Sequence, residues 1–297
     1  MLKQGPVLTL MGDLNVELTT TLDASFASLD RDCLTYRAVK TCVGGTAANL
    51  ALAAKNFFGS VNVIGRVGAD PFGELIVNGF AEQNVHFLCS PLDDKSTGLA
   101  LYVRDATTAN AMGVRLLVID RGANPFIDVD EIEKHIEAIQ TSDVFFVDGY
   151  CFLQQPRRQA AERAVQMAHD ARVLVAFDLV PHDAHRFFSF DEVRPWLDQV
   201  DVIITEVRTI RRLMGLVSED EVHDPELVRD TLELLKAEFY QKYIQLRFGV
   251  GNIEETLHSR PGRMPELRVN HYIDTPEPRG FGDRLSASEI AEYLADR

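Results

Sequence analysis

Along the chain, short runs of β-branched and aliphatic residues alternate with longer stretches whose apolar positions recur at helical spacing. Six runs fit strands: 7–11, 61–65, 144–147, 173–177, 202–204 and 243–246. Six stretches fit helices: 46–57, 72–83, 130–140, 156–171, 225–240 and 283–295. This alternation predicts an α/β fold with a central, mostly parallel sheet flanked by helices.

One part of the pattern departs from this alternation. Three runs fit strands that are connected by turns rather than by helices: 17–22, 98–103 and 114–119. We expect them to form a small antiparallel β-lid beside the main sheet, made from about residues 14–24 and 97–119. The whole chain, residues 1–297, has the length of a single large α/β domain that includes such a lid.

Composition narrows the function classes. A formal net charge of −15 argues against sequence-independent nucleic-acid binding, which needs a basic face. No apolar run approaches the length of a membrane span, and the N-terminus lacks the pattern of a signal peptide. Cysteines 33, 42, 89 and 151 contain no Cys-x-x-Cys pair, so we expect reduced thiols in a cytoplasmic protein.

A glycine-rich turn at residues 279–288 carries the strongest chemical signal. It follows a strand-like run at 267–273 and opens the last predicted helix. Gly280 and Gly282 leave backbone N–H groups bare, and a helix N-terminus adds positive potential, so the turn suits an anion such as phosphate. Asp283 lies in the first helical turn, where it either caps the helix or accepts a proton from a hydroxyl that attacks phosphorus.

Polar residues near the first strand suit a ligand, because ligands of open α/β sheets bind beyond the carboxyl ends of strands. Asn15 and Glu17 are two residues apart, so they lie on one side of an extended chain and face sugar hydroxyls or solvent. Gly44 and Gly45 open a helix of small residues, and Asn49 projects from its first turn. This turn either admits the same ligand or only packs closely on the sheet.

Other polar positions have ordinary structural explanations. Asp70 fits the N-cap of a helix with Pro71 at its first position. Arg115, on a lid strand, faces a phosphate or sugar, or else is simply exposed. His182 and His185 are expected in a solvated loop, because no carboxylate or cysteine cluster in the sequence completes a metal site there.

Five motifs in this order resemble those of the ribokinase-like (PfkB-type) family of sugar and nucleoside kinases, over nearly the whole chain. The motifs are 12–16, Gly44-Gly45 with Asn49, 65–73, 97–100 with 122–124, and Asp274-Thr275 followed by Gly280-Phe281-Gly282-Asp283.

The resemblance implies a central sheet with helices on both faces, a β-lid over the sugar, and phosphoryl transfer from ATP to a hydroxymethyl group. It implies Mg²⁺ bridging the ATP phosphates, with ligands in this chain left unassigned. Asp283 would be the base, and the backbone of Gly280, Phe281 and Gly282 would hold the migrating phosphoryl group. The substrate-binding positions would be Asn15, Glu17, Gly44, Gly45, Asn49 and Arg115. The ATP-binding positions would be Thr205, Arg247, Gly249 and Gly251.

The chain departs from the family pattern mainly on the nucleotide side. The Asn-x-x-Glu motif is replaced by residues 205–208, so Arg208 stands where the glutamate is expected. Arg247 replaces the first glycine of the nucleotide motif, Phe281 replaces the alanine between the last glycines, and residues 276–279 are extra. These departures leave two interpretations open: a kinase with an altered nucleotide pocket, or a sugar- or nucleoside-binding sensor or partner subunit that has lost ATP chemistry.

A third interpretation, a distinct α/β nucleotide-binding protein, is weaker because no Gly-x-Gly-x-x-Gly follows the first strand. The exposed strands of the lid predict a homodimer. The sequence does not name the acceptor, since Glu17 replaces the aspartate that is common among pentose and hexose kinases.

Overall fold

The structure is a computed structural model. It describes residues 5–23, 25–26, 39–105, 114–216, 224–250, 253–271 and 280–297. In these parts of the chain the strands are β1 (Val7–Met11), β2 (Asn15–Leu22), β3 (Lys40–Gly44), β4 (Ser60–Ile64), β5 (Val85–Phe87), β6 (Gly98–Asp105), β7 (Val114–Asp120), β8 (Val144–Asp148), β9 (Leu174–Asp178), β10 (Val202–Glu206), β11 (Tyr243–Val250), β12 (Ile253–Ser259) and β13 (Glu266–His271).

The helices are α1 (Thr46–Ala54), α2 (Pro71–Glu82), α3 (Val129–Glu133), α4 (Ile136–Gln140), α5 (Arg157–Asp170), α6 (Phe190–Asp198), α7 (Val207–Leu213), α8 (Pro225–Phe239) and α9 (Phe281–Ala295). Within the described residues, none of these helices is both long enough and apolar enough to cross a membrane.

The main sheet has nine strands in the order β13-β12-β11-β10-β9-β8-β1-β4-β5. The strands from β11 to β5 pair in parallel, and β12 and β13 add an antiparallel edge. Apolar side chains cover both faces, because one core contains residues of α1, α2 and α9 and the other contains residues of the remaining helices. The predicted α/β architecture is therefore confirmed, and the strands' carboxyl ends meet at one edge.

The lid is a four-stranded sheet in the order β3-β2-β6-β7. The expectation of an all-antiparallel lid is wrong, because β2 and β6 pair in parallel while the two outer pairs are antiparallel. Strand β3 joins the sheet from outside the predicted lid segments. It has only five residues and no clear alternation, so pairing with β2 rather than local pattern makes it a strand.

Local signals located some boundaries well. Asp70 caps α2 by accepting a hydrogen bond from the Gly73 amide at 2.8 Å, as its spacing predicts. The predicted helix over 130–140 is instead two short helices, α3 and α4, which break at the residues around Lys134 and His135. Strand β11 continues through Val250, so the glycine motif expected after that strand begins inside it.

Candidate active site

A cavity of about 390 Å³ lies between the lid and the carboxyl ends of the parallel strands. Asn15, Glu17, Gly45 and Asn49 line one side of it, and Asp283 lines it as well. Residues that are far apart in the sequence and were predicted for one ligand therefore face one space. A cavity of this size is in the usual range for a small-molecule site.

The turn that leaves β1 is fixed from behind by a buried amide network. Asn124 Oδ1 accepts from the Leu14 amide at 2.8 Å, and Asn124 Nδ2 donates to Asn15 Oδ1 at 3.0 Å. Asn15 is buried, so its carboxamide is held in one orientation along the cavity wall. The Asn124 of the fourth motif thus supports the turn of the first motif.

The two glycines at the end of β3 let this turn and the lid approach closely. The Gly45 amide donates to Glu17 Oε1 at 3.3 Å. A Cβ atom on Gly44 would lie 2.2 Å from the same oxygen, so only glycine leaves room for the Glu17 carboxylate. Gly44 does not line the cavity among the described residues, and its contribution is to admit Glu17.

Helix α9 presents its N-terminus to the cavity. Gly280 occupies the N-cap position in a left-handed conformation, with φ of 64°, and a Cβ there would lie 3.1 Å from Asn49. Asp283 is the third helical residue, and among the described residues no side-chain hydrogen bond caps this N-terminus, so Asp283 is not the N-cap. The amides of this first turn precede the first helical bond, from Arg284 N to Gly280 O, and are available to an anion.

The environment of Asp283 suits a proton acceptor. Burial first, and then the nearby Asp178 carboxylate, raise its pKa to about 7, although Arg247 and a hydrogen bond from the Asn49 side chain act in the opposite direction. A carboxylate with a pKa near neutrality both ionises at working pH and retains enough basicity to take a proton. Asp283 also lines the cavity.

Arg247 reaches the same cavity from β11. Its Nη2 atom lies 3.3 Å from Asp178 Oδ2 and also contacts Ser286 Oγ of α9. Burial raises the pKa of Asp178, and Arg247 opposes that rise. The arginine and Phe281, both buried, occupy part of the expected nucleotide side, but the cavity remains open in front of Asp283.

His182 and Glu206 form the outer edge of this nucleotide side. His182 Nδ1 lies 3.1 Å from Glu206 Oε2, and both residues line the cavity. His182 therefore lies in an exposed turn, as expected, but its ring also contacts a carboxylate at the edge of the cavity. The carboxylate partner comes from the end of the neighbouring strand β10, which a search for a local cluster in the sequence could not find.

The remaining residues expected at the site either do not line the cavity or lie outside the described part of the chain. Thr205 is buried and donates its hydroxyl to the Glu206 carbonyl oxygen, and Gly249 lies within β11. Gly251 lies outside the described residues, as do Asp274 and Thr275. Arg115 lies on β7 opposite Arg104, but its side chain is outside the described part. Arg208 is the second residue of α7, is half-buried, and does not line the cavity in the described parts.

Sequence reasoning missed a buried ion-pair cluster under the cavity floor. Asp13 lines the cavity, accepts two bonds of 3.1 Å from Arg121, and contacts the fully buried Arg157. Burial alone would raise the pKa of Asp13, but these two guanidinium groups outweigh it and lower the pKa. Burial and Asp13 raise the pKa of Asp148, beside this cluster, to about 7. The tertiary pairing of Arg157 with Asp13, 144 residues away, leaves no local sequence signal.

The lid contributes a wall that sequence reasoning also missed. Tyr102, Arg104, Leu117 and Ile119 line the cavity from adjacent strands. The Arg104 guanidinium carbon lies 5.3 Å from the centre of the Tyr102 ring. Within the described residues, no carboxylate pairs with Arg104. The alternation of β6 placed these side chains on one face, but only pairing with β7 turned that face toward the site.

The family model for pfkB family carbohydrate kinases matches residues 11–241. The chain belongs to this family. The matched segment contains the turn that leaves β1, the lid and β10, whereas β11 and the glycine turn before α9 follow it.

Similar proteins agree with this assignment. The chain is 25% identical over 199 residues to a 5-dehydro-2-deoxygluconokinase from Clostridium beijerinckii, and the match covers 65% of this chain and 57% of that relative. The fold of this chain is similar to that of 2-dehydro-3-deoxygluconokinase from Thermotoga maritima. The TM-score is 0.77 at 17% identity, and the match covers 98% of this chain and 88% of that one.

Adenosine kinase from Sinorhizobium meliloti has the same fold, with a TM-score of 0.74, 20% identity, and coverage of 98% of this chain and 88% of that one. The ribokinase-like architecture expected from the motifs is thus confirmed over nearly the whole chain. The chain matches little more than half the length of the curated relative from Clostridium beijerinckii.

Proposed function

We propose that this protein transfers the γ-phosphoryl group of ATP to a hydroxymethyl group of a small sugar acid. The observation that carries the proposal is the position of Asp283. Its carboxylate lies in the first turn of α9, faces the cavity that Asn15, Glu17 and Asn49 also line, and has a pKa near 7. Phosphoryl transfer needs this combination of a proton acceptor, an oriented hydroxyl and fixed donors.

In the proposed reaction, the hydroxyl oxygen of the acceptor forms a bond to the γ-phosphorus while the bond to the β–γ bridging oxygen breaks. That bridging oxygen leaves with the electron pair on ADP, and the hydroxyl proton passes to Asp283. The first-turn amides of α9 point at the transferring group and stabilise its negative charge. Asn49, which donates to Asp283, holds the carboxylate toward the acceptor.

The donor would occupy the side of the cavity next to β10 and β11. Arg247 places a guanidinium there, and Glu206 offers a carboxylate at the edge of the cavity. Oxygen donors of this kind suit Mg²⁺, held through water, which would neutralise charge on the ATP phosphates. The residues present therefore fit ATP–Mg²⁺, with Arg247 taking a place that is usually left to a glycine.

Arg104 favours an acidic acceptor over a neutral one. The carboxylates of Asp13 and Asp178 already pair with arginines, and Glu206 contacts His182. Arg104, stacked on Tyr102, is left to meet an incoming anion. The similar proteins from Clostridium beijerinckii and Thermotoga maritima are named for gluconate derivatives, which carry a carboxylate.

The alternative, a catalytically impaired protein that only binds its ligand, is less well supported, because Arg247 and Phe281 do not close the cavity in front of Asp283. A coupled assay that detects ADP distinguishes a kinase from a binder that has lost ATP chemistry. The acceptors to be assayed are 5-dehydro-2-deoxygluconate, 2-dehydro-3-deoxygluconate, fructose, ribose and adenosine. We expect ADP formation with a sugar acid, and ADP formation with none of a broad acceptor panel would overturn the proposal.

The acid preference has its own test. Arg104→Met should raise KM for the sugar acid about tenfold, as the loss of a bond between charged groups predicts, and change KM for a neutral sugar little. Arg229→Met, on the exposed side of α8, is the matched control. Equal losses for acidic and neutral acceptors would contradict the role of Arg104.

We also propose that two copies pair through the lid, in the cytoplasm. β7 is an edge strand of the lid. On the face of the lid that points away from the cavity, Leu101 of β6 and Leu116 and Val118 of β7 are exposed. Sedimentation should show a dimer that Val118→Lys converts to monomer. A wild-type protein that sediments as a monomer at micromolar concentration would remove this proposal.

A further inference from the structure

Cys89, Glu131 and His135 form a cluster away from the active-site cavity. Cys89 follows the short edge strand β5, whereas Glu131 belongs to α3 and His135 lies at the junction of α3 and α4. Their side-chain donor atoms all lie within 4.8 Å of one another. Cys89 and Glu131 are buried and His135 is half-buried, and none of the three lines the cavity.

We propose that this cluster is a structural zinc site, with Cys89 Sγ, Glu131 Oε1 and His135 Nε2 as its ligands. Thiolate, imidazole and carboxylate are the groups that bind Zn²⁺ in proteins, and their combination selects it over Mg²⁺ and Ca²⁺. The inference is independent of the kinase reaction.

The spacing of the atoms supports a tetrahedral ion. Cys89 Sγ lies 3.5 Å from His135 Nε2, and His135 Nε2 lies 3.3 Å from Glu131 Oε1. In a zinc tetrahedron with ordinary bond lengths, the edge between sulfur and nitrogen is about 3.5 Å and the edge between nitrogen and oxygen is about 3.3 Å. An ion therefore fits without a large rearrangement of these side chains, and water would supply the fourth ligand.

The second oxygen of Glu131 is held by cations that orient the carboxylate. Lys134 Nζ lies 2.7 Å and Arg66 Nη2 lies 3.0 Å from Glu131 Oε2. Arg66 is itself fixed by bonds to the carbonyl oxygens of Phe126 and Ser90. Ligating carboxylates are commonly held by such outer contacts, and here both contacts leave Oε1 turned to the cysteine and histidine.

Binding of the ion would release one proton. Zn²⁺ replaces the thiol proton of Cys89, which passes to solvent, and the histidine binds as a neutral ring with its remaining proton on Nδ1. The resulting thiolate and the Glu131 carboxylate would both ligate the ion, while Arg66 and Lys134 stay paired with the other oxygen of Glu131. The ion would join the segment after β5 to the α3–α4 pair, so its expected effect is on stability.

Cobalt substitution tests the site directly. The full-length protein is stripped with a chelator and titrated with Co²⁺, whose bonds to thiolate give a near-ultraviolet charge-transfer band and whose tetrahedral complexes absorb strongly in the visible. We expect one Co²⁺ per chain, displaced by Zn²⁺, and a higher Tm in the presence of Zn²⁺. Cys89→Ser should abolish the charge-transfer band, and His135→Gln should weaken binding at least tenfold.

Cys42→Ser is the matched control, because Cys42 lies on β3, outside the cluster, and it should keep the band. If Cys89→Ser fails to fold, mass spectrometry of the wild type replaces it, and Zn²⁺ should slow alkylation of Cys89 but not of Cys42. The proposal is overturned if the wild type shows no thiolate band at excess Co²⁺, if Cys89→Ser retains the band, or if Zn²⁺ leaves alkylation of Cys89 unchanged.

Discussion

The two sides of the cavity differ in how they are built. The proposed acceptor side comes from two short turns, and the amide of Gly45 holds Glu17 while Asn124 holds Asn15. The proposed nucleotide side is assembled from the ends of β9, β10 and β11, where Arg247 bridges Asp178 and Ser286 of α9. The first side repeats the family pattern, and the second replaces a glycine by a large cation.

A motif that departs from the family pattern can therefore still leave the cavity open. Arg247 enters a space that a glycine would leave empty, but it pairs with a buried carboxylate instead of closing the cavity. Arg247 thereby places a fixed positive charge close to Asp283. This charge opposes the rise in the pKa of Asp283 that burial causes. Variants on the two sides of the cavity distinguish a rebuilt nucleotide side from a degenerate one.

The largest effect is expected from Asp283→Asn. The amide cannot accept the hydroxyl proton, so kcat should fall by about 10²- to 10⁴-fold, the usual contribution of a general base. Binding of the acceptor, measured by calorimetry, should change little, because the amide keeps the size of the side chain. Arg284→Gln, at the next and exposed position, is the control, and unchanged turnover in Asp283→Asn would break the assignment.

Arg247→Gln tests the nucleotide side. Loss of the guanidinium should raise KM for ATP about tenfold, as for the loss of one bond between charged groups. It should also move the rise of kcat/KM with pH, expected near pH 7, to higher pH, because Arg247 lowers the pKa of Asp283. Tighter ATP binding in this variant would show instead that the guanidinium obstructs the donor.

Glu17→Gln tests the acceptor side with a smaller change. The amide is isosteric but loses the charge that strengthens bonds to sugar hydroxyls, so KM for the acceptor should rise about fivefold while KM for ATP stays constant. Glu74→Gln, on the exposed face of α2, serves as the control. A parallel rise in both KM values would mean that the two sides of the cavity are not separable.

The smallest effect concerns stability. The pKa of Asp283 is about 7 in the folded chain and 3.8 in its ordinary environment, so folding takes up a proton between these values. The wild type should therefore lose unfolding free energy, relative to Asp283→Asn, as pH rises from 4 to 7. Urea unfolding of both proteins at pH 5 and pH 8 measures the difference, and Asp148→Asn separates the contribution of the second buried carboxylate with a raised pKa. A difference that is the same at both pH values would contradict the raised pKa of Asp283.

The sequence predicted the fold because its signals are local and repeated. Alternation of apolar runs located the parallel strands, and the capping pair of Asp70 and Pro71 located the start of α2. It failed for β3 and β5, which have five and three residues and become strands only by pairing with their neighbours. The extent of the single domain, like the assignment of the individual site residues, stays a prediction.

The sequence by itself determined the turn that leaves β1, the two glycine turns and the carboxylate at the start of the last helix. Each depends on backbone geometry within a few residues, which residue type and spacing report directly. The tertiary structure alone decided that Arg247 pairs with Asp178, that His182 meets Glu206, and that Arg104 faces the cavity. The two ion pairs join the ends of strands that are far apart in the sequence but share one sheet. The pairing energy of charged side chains also depends on the burial that folding creates.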